Sequence, residues 1–191
     1  MSTFEYLVSS ANFAEFSSSV EIPELERVAK LDLANGITIA ELVFWCCFFF
    51  PKKEALRKLI GLGKQIQTED IVIKRIFEFQ YQNGFSCLMC LFQMATVYKY
   101  GNKNNLSSPS GLMMCEIEES CLFLIGLAES ANLDLNKILN HRTKNGLTLF
   151  YYASLYSERV TKHLLERAVK VNSISDSFRT PCFTVRLFLD S

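Results

Sequence analysis

The tightest constraint on this chain is a local pattern that occurs four times. Asn35-Gly36-Ile37-Thr38, Asn83-Gly84-Phe85-Ser86 and Asn145-Gly146-Leu147-Thr148 are each followed by an apolar run. A fourth copy lacks the Asn-Gly pair but keeps Phe178-Arg179-Thr180-Pro181 ahead of Cys182-Phe183. Asn-Gly accepts positive φ and so makes a tight turn. Two residues after the Gly, a Ser or Thr side chain can accept a backbone N–H bond and start a helix. In the fourth copy Pro181 falls at the first helical position, where its missing N–H costs nothing. Each copy predicts turn, cap, helix.

The segments after the caps have the helical period. Leu88, Leu91, Phe92 and Ala95 follow the i, i+3, i+4, i+7 rule, as do Leu149, Tyr152, Ala153 and Tyr156. A second helix is predicted after each first one. Leu56, Leu59 and Ile60 mark one beyond Pro51; Ile117, Cys121, Leu124 and Ala128 mark another; Val160, Leu164, Leu165 and Ala168 mark the third. Paired helices separated by turns suggest a stacked repeat. The caps lie 48, 62 and 32 residues apart, and only the last spacing is near the roughly 33 residues of a common helical repeat. The longer gaps hold extra material. Asp70 to Gln80 reads as an added helix, and Gly101 to Gly111 as a surface loop rich in Asn, Ser and Lys.

These residues resemble ankyrin repeats, best between Gly146 and Pro181. Gly146-Leu147-Thr148-Leu149-Phe150-Tyr151-Tyr152-Ala153 is similar to the family's G-x-T-P-L-H-x-A opening, with Leu149 in place of Pro and Tyr151 in place of His. Leu164-Leu165-Glu166-Arg167-Ala168-Val169-Lys170-Val171-Asn172 is similar to L-L-x-x-G-A-D-V-N, with Ala168 for Gly and Lys170 for Asp. The resemblance implies an all-α fold. It would be an ankyrin-like solenoid of stacked antiparallel helix pairs with short hairpin turns, its repeats irregular and interrupted by insertions. The expected layout is an N-terminal helical cap at 1–34 and repeats over 35–191. A flexible insert falls at about 100–112, and an incomplete last repeat at 178–191. Within the cap, Phe4 to Phe16 and Pro23 to Lys30 read as two helices. Pro181 to Leu189 has room for one helix without its partner, with Val185, Phe188 and Leu189 apolar along it.

Charge and cysteine usage narrow the function. Twenty basic residues balance twenty acidic ones, so the net charge is zero. A nucleic-acid partner is not expected, because such binders carry an excess of Lys and Arg. The start, Met1 to Tyr6, has neither the basic residues nor the apolar core of a secretory signal. With seven Cys, an odd number, reduced thiols and a cytoplasmic location are expected, the nucleus being the second choice. Leu42 to Phe50 is uncharged but only nine residues long, against about 20 for a membrane span. It reads as a buried helix, and no transmembrane segment is expected.

Motifs that point to chemistry fail on inspection. Cys87-Leu88-Met89-Cys90 has no second pair and no His pair to complete a zinc site, so both thiols read as core. Gly61-Leu62-Gly63-Lys64 lacks the first Gly and the Ser or Thr of a phosphate loop, and reads as a helix end. Glu116, Glu118 and Glu119 read as acids favouring a helix N-terminus. The two His, His141 and His163, sit in no catalytic motif. No catalytic residue, cofactor or metal is assigned, and no enzyme is expected.

The ankyrin resemblance implies an intracellular protein-interaction module. In that family hairpin tips and first helices contact a protein partner. By position this implicates Arg142, Thr143 and Lys144, then Ser175, Asp176 and Ser177, with Tyr151 on the first helix. The alternative is a helical regulatory or membrane-peripheral protein using the apolar 42–50 segment and the C-terminal helix.

Overall fold

The computed structural model describes residues 3–4, 21–101 and 111–167. Among them are nine α-helices, one 3₁₀ turn and no strand. The helices are α1 (Ile22–Ala34), α2 (Ile39–Phe49), α3 (Lys53–Ile66), α4 (Glu69–Glu78), α5 (Cys87–Gly101), α6 (Gly111–Ser130), α7 (Leu135–Leu139), α8 (Leu149–Tyr156) and α9 (Glu158–Arg167). The 3₁₀ turn, Gln82–Gly84, precedes α5. The expected helix at Phe4–Phe16 apart from Phe4 itself, most of the 100–112 insert, Ala168 and the last repeat at 178–191 lie outside the described residues.

The caps form where the repeated pattern places them. Thr38 Oγ1 accepts the Glu41 N–H, and the Glu41 carboxylate accepts the Thr38 N–H in return, at 2.8 Å. This reciprocal pair satisfies two N–H groups that the helix itself leaves over. Ser86 Oγ accepts from Met89 N–H, and Thr148 Oγ1 from Tyr151 N–H. The three turns before these caps share a left-handed Gly at positions 36, 84 and 146, but not a shape. Gly36 ends α1: its N–H reaches Leu33 O and the Ile37 N–H reaches Asp32 O, a Schellman closure. The other two are narrow hairpins, closed by antiparallel bridges between Tyr81 and Phe85 and between Arg142 and Thr148.

The helices pack as two series. α2 packs on α5 and α5 on α8; α3 packs on α6 and α6 on α9. Within each pair, α2 meets α3, α5 meets α6 and α8 meets α9. α1 lies against α3, and α4 covers α2, α3 and α6. The core runs through every interface, from Leu25 and Phe44 through Leu59, Leu88 and Ile117 to Leu149 and Leu164. α6 fixes the turns of its neighbours. The buried Ser120 hydroxyl donates to Pro51 O at 2.7 Å, in the turn between α2 and α3. The Ser157 hydroxyl, between α8 and α9, donates to Glu118 at 2.6 Å and accepts the Val160 N–H.

Several expectations change in detail. The helix predicted from Pro23 to Lys30 runs on to Ala34, and the one expected to reach Gln80 stops at Glu78. Glu116, Glu118 and Glu119 are not at a helix start, because α6 begins at Gly111. Glu118 instead holds Ser157, and Glu119 pairs with Lys53 at 3.8 Å. The buried Asp32 anchors the residues before α1, accepting from Phe4 N–H at 2.6 Å and Thr3 N–H at 3.3 Å.

Gly61 and Gly63 lie inside α3, and they differ sharply. A Cβ at Gly63 would sit 2.8 Å from Ile39 Cγ1 and 2.9 Å from Val72 Cγ1, so the bare glycine lets α2 and α4 close on α3. A Cβ at Gly61 would meet nothing within 4 Å. Gly63→Ala should therefore destabilise the protein by about 1–3 kcal/mol through overpacking. Gly61→Ala should stabilise it by up to about 1 kcal/mol through helix propensity. The check is the urea midpoint of each variant at unchanged m.

Candidate functional site

α2 has no polar face in its central turns, and three sides of it are covered. Leu42, Val43, Phe44, Cys46, Cys47 and Phe50 are buried, while Trp45, Phe48 and Phe49 remain half-buried. The apolar 42–50 run is thus mainly core, and its open remainder is aromatic. The chain leaving α4 turns extended at Phe79 (φ −69°, ψ 129°) and crosses this aromatic strip. Phe79 packs edge-on against Phe44 with ring centroids 5.5 Å apart. Tyr81 lies 5.1 Å from Phe44 and 5.0 Å from Trp45. Trp45 in turn stacks on Phe49 at 5.8 Å and stands perpendicular to Phe48 at 6.3 Å.

Beside these rings is an open pocket of about 180 Å³ between α2, the 81–85 hairpin and the first two turns of α5. It is lined by Phe44, Trp45, Phe48, Tyr81, Gln82, Asn83, Phe85, Cys90 and Gln93. No lining side chain is an acid or a base. Asn83 takes φ 66° and Gly84 φ 78°, which folds the tip tightly enough to put Gln82 and Asn83 at the rim.

This hairpin is tied to the next one. The Lys144 N–H donates to Asn83 O at 2.8 Å, and the His141 imidazole donates through Nε2 to Gly84 O at 2.7 Å, which requires the proton on Nε2. The candidate tip residues of the third turn therefore adjoin the pocket through Asn83. They differ in exposure. Lys144 is exposed and Arg142 half-buried, while Thr143 is buried. The Thr143 hydroxyl accepts the Leu147 N–H at 3.1 Å, and its N–H donates to Leu147 O at 2.9 Å, so it holds the turn in shape. Tyr151 is half-buried, edge-on to Tyr152 at 5.5 Å. Ser175, Asp176 and Ser177 lie outside the described residues.

Sequence reasoning passed over Tyr81, Gln82 and Gln93. The one available signal was the alternation Phe77-Glu78-Phe79-Gln80-Tyr81, whose later half marks an extended segment rather than a helix end.

Five of the six described thiols are shielded from solvent. Cys46, Cys47, Cys87, Cys90 and Cys121 are buried, and only Cys115 is exposed. Burial pushes the Cys87 thiol up to about 12, and raises Cys46, Cys47, Cys90 and Cys121 too. The thiolate, the nucleophilic form, is thereby suppressed. No group of three or more His, Cys, Asp or Glu among the described residues is placed to hold a metal ion. No helix there is long and apolar enough to cross a membrane. In comparisons with known proteins, the chain matches no family model, no curated sequence and no solved structure.

Two outcomes follow from this geometry. Gly84→Ala should cost about 1–2 kcal/mol, since its left-handed φ is unfavourable for any residue with a Cβ; chemical denaturation reads it. In a Cys182→Ala background, a disulfide-exchange thiol reagent should label Cys115 rapidly. The five buried thiols should react only on unfolding, giving one fast equivalent and five slow ones by absorbance.

Proposed function

We propose that the chain is a non-enzymatic, intracellular protein-interaction module built from divergent ankyrin-like repeats. The single observation carrying this reading is the joint arrangement of helices and hairpins. α2, α5 and α8 pack in series, α3, α6 and α9 pack in a second series, and the hairpins leading into α5 and α8 are hydrogen-bonded to one another. In such a stack each pair buries its apolar surface on its neighbours, and the row of tips and first helices is left to bind. The divergence from a regular repeat has a structural cause, because α4 is inserted between the first and second pairs and covers α2. His141 takes a role consistent with stacked hairpins, since its ring bridges one tip to the next.

The partner would be a protein, held by surface complementarity around a few aromatic and basic anchors. Arg142 and Lys144 on the third turn, Tyr151 on α8, and Ser175, Asp176 and Ser177 are the proposed contacts. Thr143 supports them from beneath, through its bonds to Leu147.

A charge reversal tests this assignment. The variant Arg142→Glu with Lys144→Glu, combined with alanine at Ser175, Asp176 and Ser177, should lose a captured protein partner at least tenfold, about 1.4 kcal/mol. Proximity labelling followed by titration of the captured partner measures it, with circular dichroism showing an unchanged helical content. Undiminished binding would remove these tips from the site. Flotation with liposomes separates this reading from the membrane-peripheral one, which requires the wild-type chain to rise with the lipid.

A further inference from the structure

We propose that the aromatic pocket beside the 81–85 hairpin is a socket for a proline-rich peptide segment in the polyproline II conformation. The proposal deepens the interaction-module reading and rests on it.

Size decides the first question. Pockets for whole small molecules run to roughly 300–1,000 Å³. This one holds about 180 Å³. It suits one or two side chains of a larger partner rather than an entire small ligand.

Charge decides the second. The nine lining residues are five aromatics, three carboxamides and one buried thiol, with no Asp, Glu, Lys, Arg or His among them. A phosphorylated or acidic motif needs Arg or Lys to meet it, and a basic one needs carboxylates. The occupant is therefore neutral where it enters.

The recurring ways of holding a peptide then separate. Strand addition needs an open sheet edge, and the described residues contain isolated bridges but no strand. A docked amphipathic helix needs a groove long enough for anchors at i, i+4 and i+7, spread over about 10 Å of helix axis. This pocket is a single concavity. Polyproline II recognition asks for aromatic walls and a few donors, and both are present. The helix makes no internal hydrogen bonds, so its carbonyls are free to accept. The carboxamide N–H₂ groups of Gln82, Asn83 and Gln93 can supply the donors, each carrying two. Proline itself has no N–H, so nothing in the ligand is left unpaired against the rings. Trp45 and Tyr81, with centroids 5.0 Å apart at 68°, give two differently facing ring surfaces for a proline ring to pack on.

Trp45 is the only Trp in the chain and lines the pocket, so the protein carries its own reporter. The experiment titrates the full chain with a short capped peptide of proline and leucine and follows Trp45 emission. The control is the all-D peptide, of identical composition and opposite helical hand. The expected result is a saturable change with the all-L peptide and at least tenfold weaker binding of the all-D one. Tyr81→Ala should weaken the all-L peptide at least tenfold. If that variant loses helical content, the paired change Gln82→Ala with Gln93→Ala at the rim carries the same expectation. Equal response to both enantiomers, no saturable response, or full affinity in the folded variants overturns the proposal. So does an emission change produced by phosphatidylcholine vesicles and not by the peptide. A random peptide library selected on the chain separates the two levels. Proline-poor peptides that compete at the pocket would sink the polyproline assignment and leave the interaction module standing.

Discussion

α2 is a helix without a polar face in its central turns, and it has to be covered by several neighbours at once. Between its cap at Thr38 and its end at Phe49 the only charged side chain is Glu41, which is occupied in the cap itself. Hydrophobic burial on this scale, about 25 cal/mol per Å² of apolar surface, is the strongest demand in the chain. One partner helix cannot meet it. α3 covers one side and α5 another, and α4 is drawn over a third. The bare backbone at Gly63 is what allows Ile39 of α2 and Val72 of α4 to sit close against α3. The pocket is a by-product of the same demand. Covering α2 with α4 commits the chain to return across the aromatic strip, and Phe79 and Tyr81 are laid over Phe44 and Trp45 on the way.

The parts of the fold that are local in sequence could be read from it. A Ser or Thr two residues after a left-handed Gly is a complete instruction, because the turn, the cap and the helix start involve neighbours only. Thr38, Ser86 and Thr148 all act as caps. The helical period likewise located α3, α6 and α9 through residues that prove to be buried, such as Leu56, Ile117 and Leu164. What could not be read is the outcome of long-range competition. Glu118 carries no mark in the sequence that it will hold a serine 39 residues away. Three Asn-Gly turns that look alike differ because the preceding chain differs. α1 runs straight into the first and makes it a helix end, whereas extended residues before the second and third make hairpins. The pocket is the extreme case. Its lining comes from α2, a hairpin and α5, and no local pattern joins Trp45 to Gln93.

Cysteine usage follows from the same packing. Five of the described thiols sit where helices meet and behave as small apolar side chains. Neighbouring thiols add to the effect of burial at Cys47, which stands near Cys46, Cys87, Cys90 and Cys121. A C-x-x-C spacing on a helix places both sulfurs on one face. Here that face is the one turned inward, and Cys90 forms part of the pocket lining.

The two series of helices divide the surface between them. α3 and α9 are strongly amphipathic, and their outer faces carry Glu54, Arg57, Lys58, Arg159 and Lys162. Pairs such as Glu54 with Arg57 or Arg167 with Glu129 are largely exposed, and exposed pairs contribute little to stability. Their effect is to keep that side wet. In the first series, α2 and α8 have no such face. α2 and α8 are apolar nearly throughout, and where α8 emerges it shows Leu155 and Tyr151 rather than charge. Along this side the polar groups are supplied by the hairpins, through Gln82, Asn83 and Lys144. Apolar helix surface edged by polar tips is a boundary that a protein partner can complete and that water covers poorly. The asymmetry between the two series therefore sets a charged side, along α3 and α9, against an apolar one, along α2 and α8.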